Sequence, residues 1–294
     1  MSYKLDFTKP ILMGILNVTP DSFSDGGAYP STKSAVDKAM IMIEQGASII
    51  DIGGESTRPG SERVSALEQK RRIIDVISQL KSKMPENIII SVDTTSSEVA
   101  EAAINLGVEM INDISGGKDD NRMMSLVAKH NLYYCIMHMQ GSPKTMQNDP
   151  KYTNVVSEVI EFLSLQAKRA TDFGIMRDKI ILDPGIGFGK KTEHNLDILK
   201  NLDKISNLGY YTLLGTSRKK IFSEVSSKNN PEDRISGTCA TSALGVMSGI
   251  NIYRVHDVWQ NRQAIDIACA IKNSWFILIA LFQQYVMFLL VQHL

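Results

Sequence analysis

Apolar positions along the chain fall into two alternating kinds of segment. Short runs rich in Ile, Val, Leu and Tyr occur at Ile11–Val18, Ser48–Ile52, Ile88–Val92, Met110–Ile114, Tyr133–Met139, Ile180–Leu182, Tyr211–Leu214 and Asn251–Val255. They are too short for helices, and their composition predicts buried strands. Longer stretches between them carry apolar residues three and four apart, as in Ile73, Ile74, Ile77 and Leu80, the spacing of an amphipathic helix. Helices are predicted over Ser34–Gln45, Arg63–Lys83, Asp120–His130, Val155–Ala170, Asn195–Leu208, Arg234–Met247 and Trp259–Ile271. A further helix is predicted to open at a capping box, Thr95-Ser96-Ser97-Glu98.

Eight strands, each followed by a helix, fit a (β/α)₈ TIM barrel. A doubly wound open sheet shares the alternation and stays open on pattern alone. No linker or low-complexity tract divides the chain, so one domain over residues 1–273 is expected, followed by a distinct tail, 274–294. After Lys272 the chain has no Asp, Glu, Lys or Arg. Trp275–Leu290 is apolar apart from Gln283 and Gln284. Three fates remain open for this tail: an apolar helix packed on the barrel or a second subunit, a membrane contact, or a divergent end.

Composition narrows the function. Lys and Arg total 32, as do Asp and Glu, so no global positive field exists to hold nucleic acid. An anionic ligand must be met by a local site. Cys135, Cys239 and Cys269 form no CxxC pair and read as buried thiols of a reducing compartment. The first ten residues contain no apolar signal-peptide core, and a cytoplasmic location is expected.

In a barrel the active site forms at the C-terminal ends of the strands, and polar residues gather there in this chain. The first strand leads through Asn17, and the second from Asp51 into Gly53-Gly54-Glu55-Ser56-Thr57-Arg58-Pro59-Gly60. The third ends at Asp93, the fourth runs through Asn112-Asp113, and the fifth gives His138 and Met139. The last three lead into Asp183, Ser217-Arg218-Lys219 and Arg254-Val255-His256. Helix capping explains such residues one at a time, less easily at every strand. With Thr95 placed to cap, Asp93 is left for a ligand. Gly185-Ile186-Gly187-Phe188-Gly189-Lys190 suggests a nucleotide loop, but Pro184 stands at the first glycine of the phosphate-loop pattern and Lys190 at the last glycine of GxGxxG. The five histidines show no zinc spacing.

The run Gly14–Gly27 and the run Gly53–Gly60 resemble the two long motifs of the dihydropteroate synthases. The segments around Asp93, Asn112, Asp183, Lys219 and Arg254–His256 are similar to theirs in the same order, and the resemblance extends over residues 11 to about 272. It implies a (β/α)₈ barrel that joins a pterin-methyl diphosphate to 4-aminobenzoate with Mg²⁺, commonly as a homodimer through late helices. By the same resemblance Asp93, Asn112, Asp183 and Lys219 bind the pterin, with Met139 against its face. Asn17, Thr57, Arg58, Arg254 and His256 take the diphosphate, and Asn17 ligates Mg²⁺. Phe23, Thr57, Pro59, Phe188 and Ser217 line the 4-aminobenzoate site. Asp93, Asp183 and Lys219 are the expected catalytic group. Arg218 reads as a solvated neighbour. A pterin-binding methyltransferase domain has no need of Asn17, Arg58, Arg254 and His256, all present here. A non-catalytic pterin-binding protein is expected to have lost Lys219 or the phosphate residues, and neither is lost.

Overall fold

The computed structural model describes residues 5–19, 32–56, 60–227 and 230–274. Eight parallel strands close into a barrel in sequence order: β1 (Ile11–Asn17), β2 (Ile49–Gly53), β3 (Ile89–Asp93), β4 (Met110–Asp113), β5 (Tyr133–Met137), β6 (Ile180–Asp183), β7 (Tyr211–Leu214) and β8 (Ile252–Val255). Closure is made by β1 against β8, with Met13 in register with Arg254. The open-sheet alternative is thereby removed.

Strand faces account for the composition of the runs. Residues facing the helices, such as Leu12, Ile50, Ile90, Ile111, Tyr134 and Leu182, belong to the large apolar layer between sheet and helices. Inward residues low in the barrel, among them Met13, Ile49, Ile89, Met110, Ile181 and Ile252, fill its base. Both faces are dry, so the strands read as continuous apolar runs rather than alternating ones. Above this base, toward the C-terminal strand ends, Asp51, Asp93, Asn112 and Asp183 enter the interior.

The helices are α1 (Thr32–Glu44), α2 (Ala66–Lys83), α3 (Ser97–Ile104), α4 (Met123–His130), α5 (Val155–Asp172), α6 (Thr192–Lys200), α7 (Leu202–Ser206), α8 (Lys220–Ser226), α9 (Ile235–Met247) and α10 (258–274). Buried Ile73, Val76, Ile77 and Leu80 of α2 lie on one helix face. The helix starts at Ala66 rather than Arg63 because Ser65 caps it, its side chain accepting from the Glu68 N–H at 3.3 Å. Such a cap contributes about 1 kcal/mol.

Several boundaries differ from expectation. Thr95 does not cap α3. The N-cap is Ser96, without a side-chain cap bond, and the Ser97 N–H donates instead to Asp120 Oδ2 at 2.9 Å. The stretch Asn195–Leu208 is two helices, broken at non-helical Asn201. The Asn201 side chain donates to the Asp197 carbonyl at 2.8 Å, a local bond that competes with helix continuation. Helix α8 was not expected. Strands β4 and β5 stop short of Ile114 and Met139, which instead pack with Met137, Met146 and Phe188 above the sheet. Of the cysteines only Cys135 is buried; Cys239 and Cys269 are half-buried, and all three are free thiols. Among the described residues no helix is long and apolar enough to cross a membrane. The three readings of the tail fall on 275–294, outside the described residues.

Candidate active site at the barrel mouth

Strand register places the first four site positions in one row. Asn17 is opposite Gly53, Gly53 opposite Asp93, and Asp93 opposite Asn112. Gly53 keeps the row open, because a Cβ there would sit 3.5 Å from Asp93 Cβ and 3.6 Å from Asn17 Oδ1. Side chains two apart on a strand share a face, so Asp51 points into the barrel beneath Gly53.

Asp51 and Arg254 organise the pocket floor. Arg254 Nε donates to Asp51 Oδ2 at 2.6 Å and Arg254 Nη2 to Asp93 Oδ2 at 2.7 Å. Asn112 Nδ2 donates to the same Asp51 oxygen at 3.0 Å. Asp93 is therefore ion-paired and not simply left over, which corrects the argument from Thr95. Burial pushes Asp93 up to about 7, although Arg254 pulls the other way. Burial also works against the Arg254 charge, but Asp51 and Asp93 outweigh it and hold the guanidinium above its ordinary value.

Asp183 ends β6, in register with Met137 of β5 and two residues beyond Ile181, where the row of Asn112 continues through Cys135. Its Oδ1 accepts from the Gly185 N–H at 2.7 Å. Burial raises its pKa, against that bond and the Lys219 charge. Lys219, at the N-cap of α8, lies with Nζ 3.9 Å from the centroid of the Phe188 ring. Burial and Arg254 lower its pKa to about 8, while Asp183 and Asp93 oppose the shift. Phe188 and Met139 belong to the same small apolar cluster.

The exits of β7 and β8 are tied together. Ser217 Oγ lies 2.9 Å from His256 Nδ1 and accepts the His256 backbone N–H at 3.0 Å. The expectation for Arg218 is overturned. Its guanidinium grips Asp257 with two bonds, of 2.9 and 2.5 Å, from a backbone at φ 54°. Arg218 is a strut between two loops, not a solvated residue.

Two residues prominent in the sequence prove structural. Asp113 faces the helices and accepts from Tyr134 Oη, Ser115 Oγ, and the N–H groups of Ser115 and Gly117. Lys190, buried, donates to the carbonyls of His138, Gly185 and Phe188 and lies 2.9 Å from His138 Nδ1. It is a staple that fixes the β6 loop on β5, consistent with the rejection of the nucleotide-loop pattern. Glycine is required in this loop: a Cβ at Gly185 would overlap the His138 carbonyl. Burial drives His138 down to about 2, with Lys190 and Lys118 adding to the shift, so its ring is neutral.

The pocket thus unites Asn17, Asp93, Asn112, Asp183, Lys219, Arg254, Met139 and Phe188 around one mouth, with the His256–Ser217 pair at its β7–β8 rim. Phe23, Thr57, Arg58 and Pro59 lie outside the described residues. Asp51 was not anticipated as a site residue, although its inward parity with Gly53 was available from the alternation. Among the described residues no group of three or more His, Cys, Asp or Glu could hold a metal ion.

Residues 13–256 match the model of the pterin binding enzyme family. A dihydropteroate synthase of Synechocystis sp. is 42% identical over 260 residues, covering 88% of this chain and 89% of the relative. The crystal structure of the Yersinia pestis dihydropteroate synthase with a sulfonamide drug complex superposes with a TM-score of 0.86 at 38% identity, covering 92% of this chain and 96% of the other. The Xanthomonas albilineans dihydropteroate synthase in complex with 7,8-dihydropteroate gives a TM-score of 0.83 at 35% identity, covering 92% and 97%.

Proposed function

The chain belongs to the dihydropteroate synthase family of pterin-binding enzymes, and from that premise we propose how its barrel mouth condenses (7,8-dihydropterin-6-yl)methyl diphosphate with 4-aminobenzoate. The products are 7,8-dihydropteroate and diphosphate. In the step a C–N bond forms at the methylene, the C–O bond to diphosphate breaks, and the arylamine nitrogen loses a proton. The amine is neutral at pH 7, so no strong base is needed. The barrier lies in parting a cationic methylene from a polyanion, and preorganised charge is the main lever against it.

The floor supports this reading because acceptors and donors are sorted around it. The carboxylates of Asp93 and Asp183 accept from ring N–H groups and favour positive charge developing on the ring. Lys219 donates to the pterin carbonyl, and its contact with Phe188 sets it against the arylamine surface, to which Phe23, Thr57, Pro59 and Ser217 also belong. Met139 covers the pterin face. Arg254 and His256, with Thr57 and Arg58, take the diphosphate. Hydrogen-bonding of Ser217 to His256 fixes the imidazole's orientation.

Asn17 is half-buried at the end of β1 and offers a hard carboxamide oxygen. This donor suits a hard cation, so Asn17 would hold Mg²⁺, which when bound would neutralise charge on the leaving diphosphate. A homodimer through the late helices and a cytoplasmic location complete the proposal. Sedimentation and cell fractionation test them.

The observation that carries the proposal is the Asp93–Arg254–Asp51–Asn112 network beside Lys219 and Asp183 in a barrel of this family. The test is an assay with the pterin diphosphate, 4-aminobenzoate and Mg²⁺. Release of pyrophosphate with formation of dihydropteroate is expected, and its absence from folded protein overturns the assignment.

A further inference from the structure

Asp51 is fully inaccessible and, although it belongs to the floor network, touches no substrate atom in the reaction proposed above. Its Oδ2 receives two donors from opposite sides of the barrel, Asn112 Nδ2 at 3.0 Å on β4 and Arg254 Nε at 2.6 Å on β8. Its Oδ1 is buried with no hydrogen-bond partner, as is the Oγ of Ser91, the residue in register with it on β3. A buried carboxylate with a bare oxygen is costly, and apolar Met13, Ile49 and Ile89 pack just below it. Nothing in the folding of the sheet calls for a charge at this position. What it does serve is the orientation of two site groups.

We propose that Asp51 is a positioning residue for the pterin diphosphate, locking the Asn112 amide and the Arg254 guanidinium in their substrate-binding orientations. The inference rests on the proposed reaction for the identity of the ligand. An amide has a donor end and an acceptor end. With the Asn112 NH₂ turned down onto Asp51, its carbonyl oxygen is the end left for a ligand. Asn112 then joins Asp93 and Asp183 as a third acceptor, facing a ring edge rich in N–H donors, and Lys219 is the donor for the ring carbonyl. Arg254 gains equally. In the free protein it is shared between Asp93 and Asp51. When a ring N–H engages Asp93, Asp51 keeps the Nε side anchored, so the fork stays aligned for phosphate oxygens.

Asp51→Asn tests this with little change in volume. The introduced amide can still accept from both donors through its oxygen and turn its NH₂ toward Ser91, so folding is retained while the charge holding Arg254 is lost. The expected result is a KM for the pterin diphosphate raised at least ~10-fold, about 1.4 kcal/mol. The KM for 4-aminobenzoate at saturating pterin diphosphate and the circular dichroism spectrum stay unchanged. Calorimetry with inorganic pyrophosphate on the full chain is expected to show a similar loss. In an Arg254→Gln background the same Asp51 change is expected to cost nothing further, because coupled residues are not additive. Unchanged pterin diphosphate KM, or losses that add across the two positions, overturns the proposal. Should Asp51→Asn not fold, Asp51→Glu keeps the charge on a longer arm: lost pyrophosphate affinity supports positioning, and retained affinity refutes it. A wild-type chain that makes no dihydropteroate would refute the reaction instead, whereas pyrophosphate calorimetry reads Asp51 whatever the turnover.

Discussion

Replacing Arg254 by Met separates what the guanidinium does for the fold from what it does for the substrate. The Met side chain fills most of the same volume, so the main change is loss of the charge between Asp51 and Asp93, whose residues are 0% and 6% exposed. Removing one partner of a buried ion pair costs roughly 3–5 kcal/mol, because the remaining charge is uncompensated. In a domain of this size that lowers Tm by about 10 °C.

The loss must also depend on pH in a set direction. Folded Asp93 holds its proton up to about 7, against an ordinary 3.8. Its contribution to stability is therefore fully present below the ordinary value and lost as pH rises through about 7. Arg254 pulls that folded value down, so without it the carboxyl moves higher and the loss on raising pH deepens. The gap between wild type and Arg254→Met is expected to widen from pH 4.5 to pH 8, on top of the loss of the Asp51 partner, as read from urea unfolding at several pH values. Turnover, measured where both proteins are fully folded, should fall by roughly 10–100-fold in kcat/KM, the value of a hydrogen bond to a charged group. A stability gap that stays constant with pH, or that never exceeds about 1 kcal/mol, well short of the cost of a broken buried pair, would refute the idea that Arg254 neutralises the floor.

Lys219→Ala is expected to lose at least ~10²-fold in kcat/KM, about 2.7 kcal/mol of transition-state stabilisation. Because burial lowers the Lys219 pKa to about 8, wild-type kcat/KM should decline as pH rises through that value; a flat profile from pH 7 to 9 would show that its charge is not used. Arg218→Ala removes the bidentate grip on Asp257, and since the Arg218 side chain is 30% exposed the cost should be about 1 kcal/mol of stability. Its KM for the pterin diphosphate should stay within about twofold, the size of shift expected of a residue outside the site, and a kinetic loss equal to that of Lys219→Ala would mean that Arg218 reaches the substrate. EDTA is expected to abolish turnover and added Mg²⁺ to restore it, with Asn17→Ala raising the Mg²⁺ needed for half activity; full activity in metal-free buffer would remove the metal from the proposal.

The barrel was legible because its strands are dry on both faces. Apolar runs such as Tyr133–Met137 and Ile180–Leu182 mark buried parallel strands, and polar residues at or just past the ends of the runs mark the mouth. Boundaries were less legible where local chemistry intervened. The Ser65 cap moved the start of α2, and Asn201 broke a helix that periodicity alone would continue. Ile114 and Met139 lengthened the apparent strands because an apolar side chain looks the same in a sheet and in a cluster above it.

Individual site residues were readable when their position along a strand was enough, and misread when their partner lay far away in sequence. Lys219 and Arg218 are neighbours past the end of β7, and the sequence suggested only that adjacent residues need not face the same way. It could not show that Arg218 would meet Asp257, 39 residues on. The phosphate-loop pattern already failed at Pro184, but nothing in the sequence showed that Lys190 would instead meet His138, 52 residues earlier. Asp51 is the sharpest case: its donors are 61 and 203 residues away. Strand parity puts such a residue inside the barrel, but only ring closure brings β8 beside β1 and lets Arg254 reach across to β2. A charge network that neutralises itself across a barrel is a property of closure. The one-dimensional pattern shows which residues enter the ring, and the register of the closed sheet decides which of them meet.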